Sequence, residues 1–189
     1  MDIVIRDAQV GDAEHVAEAH IEGWREGYRG LIPGSFLDSA AFADARRETW
    51  RQRLSGAEPN ALGEHSRVLV AVASELPVGF GVVGPSRDAR DGGELYAFYL
   101  HPAHWGSGAA DLLIDACHAA LGAAHHEAML WVLRDNARAR RFYERNGWSC
   151  GTGPSFVEAE WAGPTVDGVA VLDEPLIEVQ YRRRLEATS

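Results

Sequence analysis

Residues 94–110 read E-L-Y-A-F-Y-L-H-P-A-H-W-G-S-G-A-A, and the order of residue types in them decides the fold. Glu94 to Leu100 is an aromatic-rich run of strand character, halted at His101-Pro102. Ala110, Leu113, Ile114, Cys117 and Leu121 then recur at helical spacing, so a helix begins near Ser107. Between the two lies W-G-S-G-A-A at 105–110. Backbone amides at a helix N-terminus carry partial positive charge, and small residues there let an anion approach them directly. The stretch reads as strand, loop, glycine turn and helix, a cradle for a phosphate; the plainer alternative makes Gly106 and Gly108 simple turn residues.

Two other phosphate motifs fail on the same residues. A P-loop needs Gly-Lys followed by Ser or Thr, whereas Ala109 and Ala110 follow the second glycine here. A dinucleotide fingerprint needs a third small residue where Asp111 stands, and has no room for the His-Pro-Ala-His-Trp loop after its strand.

Working outward, Val68 to Ala73 and Val78 to Val83 are apolar β-type runs joined by Ser-Glu-Leu-Pro, a pair of antiparallel strands. Upstream, Ile3 to Arg6 alternates as a first strand. Asp12 is then placed to cap a helix carrying Val16, Ala17, His20, Ile21, Trp24 and Tyr28 on one face. A second helical region reaches about Leu54, followed by a polar loop to Ser66. Downstream come a strand at Ala128 to Leu133, a short amphipathic helix from Asn136 to Asn146, a strand at Trp148 to Gly151, and a long loop or ragged hairpin from Gly153 to Glu174. Leu176 to Leu185 is a final strand. A helix-rich front followed by mixed strands and helices argues for one α/β sandwich spanning residues 1–189.

A second motif then stands in register with the first: N-A-R-A-R-R-F-Y-E-R-N-G-W from Asn136 to Trp148. In this order and spacing the two resemble the GNAT superfamily of acyl-CoA N-acyltransferases. Its donor motif is Gln or Arg, two residues, Gly, one residue, then Gly or Ala; Trp105, Gly108 and Ala110 match, with Trp105 departing from the usual side chain. W-R-E-G-Y-R-G-L-I-P at 24–33 and E-V-Q-Y-R-R-R-L at 178–185 extend the likeness over nearly the whole chain.

The resemblance implies a central, mixed but mostly antiparallel sheet of about seven strands flanked by helices, with acetyl-CoA between the strands at 94–100 and 128–133. It implies donor contacts from Phe98, Leu100, Trp105, Gly106, Ser107, Gly108, Ala109, Ala110, Asn136 and Arg141. It casts Tyr143 as the proton donor to the departing thiolate and Glu94 as the general base, and brings His20, Trp24 and Tyr28, with Phe156 and Trp161, round the acceptor. Each has a plainer reading: Tyr143 as core, Asn136 as a helix cap, Glu94 as a solvated strand end, the arginines as a solvated face. The implied reaction is direct attack of a small primary amine on the thioester. A non-catalytic acyl-CoA sensor and a protein or peptide N-acetyltransferase remain alternatives, and a homodimer is in keeping with the family.

Composition narrows the classes further. A formal charge of −10 over 189 residues argues against a nucleic-acid partner, which asks for a basic stripe, although Arg134, Arg138, Arg140, Arg141 and Arg145 crowd together. The two cysteines make no disulfide framework, and the histidines His101, His104, His125 and His126 lack ligand spacing, so no metal is expected. No apolar run approaches the roughly 20 residues that span a bilayer, so no membrane partner is expected, and the opening M-D-I-V-I-R reads as no targeting segment. The expected location is the cytoplasm.

Overall fold

The computed structural model describes residues 2–56, 65–87, 92–166 and 168–186. In chain order the elements are β1 (Ile3–Asp7), α1 (Ala13–Gly27), α2 (Gly34–Leu37), α3 (Ala40–Ser55), β2 (Arg67–Ala73), β3 (Leu76–Pro85), β4 (Gly93–Leu100), α4 (Ala109–Gly122), β5 (Glu127–Leu133), α5 (Ala137–Arg145), β6 (Ser149–Cys150), β7 (Glu158–Trp161), β8 (Thr165–Val166), β9 (Val169–Ala170) and β10 (Leu176–Arg184). The polar loop expected up to Ser66 falls largely outside the described residues.

The β2–β3 turn is made by Ser74 and Glu75, both at positive φ (49° and 72°), as a two-residue hairpin following the strand twist requires. One eight-stranded sheet runs β1-β2-β3-β4-β5-β10-β6, with β7 also on β10. Every pairing is antiparallel except β4 with β5. The mostly antiparallel mixed sheet flanked by helices is therefore as expected. The segment at 153–174 is more ordered than a loop, because β7 adds to the free edge of β10 and β8–β9 form a small hairpin.

The helices sort to two faces by their apolar stripes. On one, α4 buries Leu113, Ile114, Cys117 and Leu121, and α5 buries Tyr143, against Leu69, Leu130, Val132, Val179 and Tyr181. Burial of each such side chain contributes about 1.5–3 kcal/mol before chain entropy is counted. Helix α4 sits so close to β3 that a Cβ on Gly81 would run into the Cys117 sulfur. On the other face, Val16, Ala17 and Ala19 of α1 and Trp50 of α3 cover Val70, Phe80 and Val82.

Two local expectations change. The second helical region is broken at Asp38-Ser39, and Ser39 caps α3 by accepting from the Phe42 amide at 3.1 Å. Asp12 does not cap α1 with its side chain. Arg6 claims that carboxylate instead at 2.6 and 2.9 Å, and the guanidinium hydrogen bond holds the Asp12 carboxyl below its ordinary range.

Candidate functional site

Strands β4 and β5 are in register only at Gly93↔Ala128 and Glu94↔Met129. Beyond that point they part. The cause lies in β4, where Val82 faces Ala97 but Val83 faces Leu95, leaving Tyr96 as an extra residue. This bulge breaks the alternation: Leu95 and Phe98 pack on the α4 side while Tyr96, Ala97 and Tyr99 pack on the α1 side. A cavity of about 240 Å³ opens between the diverging strands, lined by Leu95–Leu100, Trp131–Leu133, α5, the end of α1 and, from the turn, Trp105, Gly106 and Ala110, with Ser107, Gly108 and Ala109 off the lining.

At the turn, Gly106 and Gly108 stand at φ 78° and 85°, a region that disfavours any side chain. The amides of Gly106, Gly108 and Ala110 donate to no group among the described residues, whereas the Ala109 amide reaches the Ser107 hydroxyl at 3.3 Å. Unpaired, closely spaced N–H groups at the start of α4 suit an anion. Trp105 lines the cavity, and its indole N–H donates to the Leu100 carbonyl at 3.0 Å.

Across the cleft, Asn136 uses its carboxamide oxygen to cap α5 through the Ala139 amide at 3.0 Å, leaving its NH2 group to donate. Tyr143 lies about two turns into α5, only 9% exposed yet on the cavity wall. Its hydroxyl has no hydrogen-bond partner among the described residues. Burial, and after it the charges that Tyr99 and Cys117 would carry, raise its pKa, so the phenol keeps its proton. Phe98 and Phe142 stack at 5.2 Å between these two sides.

The arginines divide by position on α5. Arg138 and Arg145 line the cavity, Arg138 lying over the Trp105 ring. Arg141, expected to contact the donor, is exposed and off the lining. Arg140 is committed elsewhere, to the Tyr181 hydroxyl and the Arg134 carbonyl, each at 3.0 Å.

The acceptor-side residues also divide. Tyr28 lines the cavity, and its hydroxyl is 3.1 Å from that of Tyr99, which also lines it. Burial, then the charge and hydrogen bond of Tyr99, pushes the Tyr28 phenol well up. Trp24 sits behind the wall and donates to the Tyr99 hydroxyl at 2.9 Å. His20 is buried one layer deeper, accepting from the Trp50 indole at 3.0 Å and packing against the Tyr99 ring at 4.6 Å. Neither His20 nor Trp24 lines the cavity; their helical face is filled by core contacts first. Trp161 packs edge-on to Trp24 at 6.2 Å, and Phe156 stands exposed away from the lining.

Glu94 does not reach the cavity either. It lies at the closed end of the cleft, fully buried, with both carboxylate oxygens held by the Arg87 guanidinium and one also by the Arg87 amide at 3.0 Å. A carboxylate paired with a guanidinium and set off the cavity lining is not placed to take a proton from an amine in the cleft. The cavity's own carboxylate is Glu178 on β10, which the sequence reading passed over. The signal was there: an acid at the alternate position to the core residues Val179 and Tyr181 in a strand paired on both edges.

Among the described residues no cluster of His, Cys, Asp or Glu is arranged to hold a metal ion, and no helix is long and apolar enough to cross a membrane.

The same fold recurs in known proteins. The chain is 30% identical over 139 residues to the uncharacterized N-acetyltransferase YuaI of Bacillus subtilis (strain 168), covering 71% of this chain and 73% of that one. Its fold is similar to that of the PaiA N-acetyltransferase of Thermoplasma acidophilum, solved in complex with coenzyme A, at 19% identity and a TM-score of 0.68 over 97% of this chain and 99% of that one. It is likewise similar to yncA of Salmonella typhimurium, solved with its cofactor acetyl-CoA, at 17% identity and a TM-score of 0.64 over 100% and 97% of the two chains. The profile of the acetyltransferase (GNAT) family matches residues 22–148, which span both the glycine turn and the Asn136–Trp148 motif, and the chain belongs to that family.

Proposed function

We propose that the protein transfers the acetyl group of acetyl-CoA to the amine of a small acceptor in the cytoplasm. The observation that carries this is the meeting, in one narrow cleft, of unpaired turn amides on one side and the unpartnered Tyr143 hydroxyl on the other. The amides of Gly106, Gly108 and Ala110 suit the donor's pyrophosphate, and the Asn136 NH2 group its amide-bearing arm, with Arg138 and Arg145 supplying positive charge at the rim. When bound, acetyl-CoA supplies an acetyl group activated as a thioester.

The chain's own part is orientation and proton supply. Leu100 at the end of β4 and Asn136 at the N-cap of α5 fix the approach from opposite sides of the cleft, so the reacting atoms meet without a search. Tyr143 gives its phenolic proton to the sulfur that departs as the C–N bond forms and the C–S bond breaks. Its apolar surroundings raise the proton affinity of a thiolate there as well as that of the phenol, which keeps the transfer favourable. A cavity of about 240 Å³ narrowed on one side by the Tyr28 and Tyr99 rings favours a compact acceptor over a protein chain.

The test is thiol release from acetyl-CoA across a panel of amines, with native protein and Tyr143→Phe. Amine-dependent release that falls about 100-fold or more in the variant, at unchanged coenzyme A affinity, supports the reading. Tight coenzyme A binding without release for any amine moves the protein to the sensor class.

A further inference from the structure

Glu178 is the one carboxylate on the cavity lining, and it makes no hydrogen bond or ion pair among the described residues. Half-buried charges are ordinarily paired. The lining cations are engaged elsewhere, Arg138 over the Trp105 ring and Arg145 beside Asp111 at 3.7 Å. The backbone fixes the position of Glu178 twice over: its Cα faces Leu133 of β5 on one edge and Ala159 of β7 on the other. A carboxylate clamped between two strands, in the same cavity as the Tyr28 and Tyr99 rings, is the arrangement that recognises a compact cation, by charge and by the faces of the aromatic rings.

The geometry points to Glu178 as the acceptor-binding residue and proton acceptor of the site, with a protonated primary amine seated between its carboxylate and the Tyr28–Tyr99 pair. This rests on the amine-transfer reading above. In the step assigned to it, one ammonium N–H bond breaks, the proton passes to a Glu178 oxygen, and the nitrogen keeps the electron pair that attacks the thioester carbon; as the C–S bond breaks, the nitrogen loses a second proton, which restores the Tyr143 phenol that has protonated the departing sulfur. Glu178 then releases the proton to solvent through the open side of the cleft. Burial, the main influence on this group, raises its carboxyl pKa against the weaker opposing effect of Arg87, which makes it the stronger base.

Two measurements on the full chain test this. In the first, 1,4-diaminobutane and the neutral 1,4-butanediol are titrated calorimetrically into protein saturated with coenzyme A, native and Glu178→Gln. In the second, thiol release from acetyl-CoA is followed over amines running from 1,4-diaminobutane to the weakly basic aniline. The inference expects the diamine to bind native protein in preference to the diol, and the variant to lose at least tenfold in diamine affinity. It expects kcat for the diamine to fall about 100-fold while the KM for acetyl-CoA stays within twofold. Glu178→Asp, which keeps the charge but withdraws it by one methylene, retains diamine binding and loses rate. Equal binding and turnover in native and Glu178→Gln proteins, or native activity confined to aniline, overturns the assignment of Glu178 while leaving amine transfer standing. No thiol release by native protein with any amine overturns both.

Discussion

Arg87 closes on Glu94 from three sides: its Nε lies 3.2 and 3.3 Å from the two carboxylate oxygens, its amide is 3.0 Å from one of them, and its terminal nitrogen completes the pair. Glu94 is 1% exposed and, opposite Met129, belongs to the last register pair of β4 and β5. The pair therefore anchors the point from which the two strands diverge. Glu94→Gln keeps the shape and removes the charge, exchanging charge-assisted hydrogen bonds for neutral ones, a loss of about 1–2 kcal/mol. The expected outcome is a melting temperature lower by about 2–8 °C, with kcat within threefold of native. A 100-fold loss of kcat at unchanged stability would return Glu94 to the catalytic role that the family resemblance implies for it.

Much of this was legible before any coordinates. The glycine turn and the Asn136–Trp148 motif can be placed from sequence because a helix start stripped of side chains and a capped helix carrying Tyr143 are local features. What the sequence does not carry is which face a residue takes after an irregularity. The extra residue at Tyr96 shifts the parity of β4, so Tyr99 faces α1 and the cavity, while Glu94, before the bulge, is left at the closed end. His20 and Trp24 share a helical stripe with Tyr28, but the stripe is longer than the cavity and only its last turn reaches it. Glu178 comes to the site through pairing with β5, a contact between residues more than forty positions apart.

Gly108 offers a test of the cradle that is independent of catalysis. Nothing lies within 4 Å of where its Cβ would be, so Gly108→Ala meets no steric block. The substitution acts through φ alone, since at 85° an L side chain costs about 1–2 kcal/mol. The chain relieves this by rotating the peptide, which turns the neighbouring amides away from their common focus. Expected are a modest drop in melting temperature and a coenzyme A affinity at least tenfold weaker, both read by calorimetry. Unchanged coenzyme A affinity would show that the turn is structural only.

His20 predicts an acid-side loss of stability. Burial chiefly, then the nearby charges of Arg46 and Arg53, hold its pKa well below the ordinary value, and its Nδ1 is an acceptor for Trp50, which fits the neutral ring. In the unfolded chain the ring takes a proton as pH falls through about 6.5. The unfolded state then binds more protons than the fold, and stability declines as pH drops below that value. His118, accepting from Trp148 and depressed to about 4, adds to the same slope. Melting temperatures measured from pH 7.5 down to 5 should fall for native protein and fall less for His20→Gln, whose amide oxygen still accepts from Trp50. Parallel curves would mean that His20 is not held neutral.

Glu178 should show the opposite sign. A carboxyl whose pKa is raised by burial stays protonated in the fold at pH values where the unfolded chain has already ionised, above about 4.3. Below that value both states hold the proton and the group is neutral toward stability. As pH rises the unfolded state is favoured, until the folded carboxyl ionises too and the destabilisation levels off. The titratable and charged groups that interact with it, Tyr28 at the C-cap of α1, Tyr99 from β4 and Arg87 beyond β3, are uncharged phenols or, for Arg87, a cation across this range. Glu178→Gln, isosteric and without the charge, should therefore match native protein in melting temperature near pH 4 and exceed it by a few degrees at pH 7.5. The comparison also bears on function, because a carboxylate that lowers stability at working pH has no structural reason to be there. If the two proteins melt together across the range, the Glu178 side of the cavity is solvated, and its carboxylate is a weaker base than the enclosed site requires.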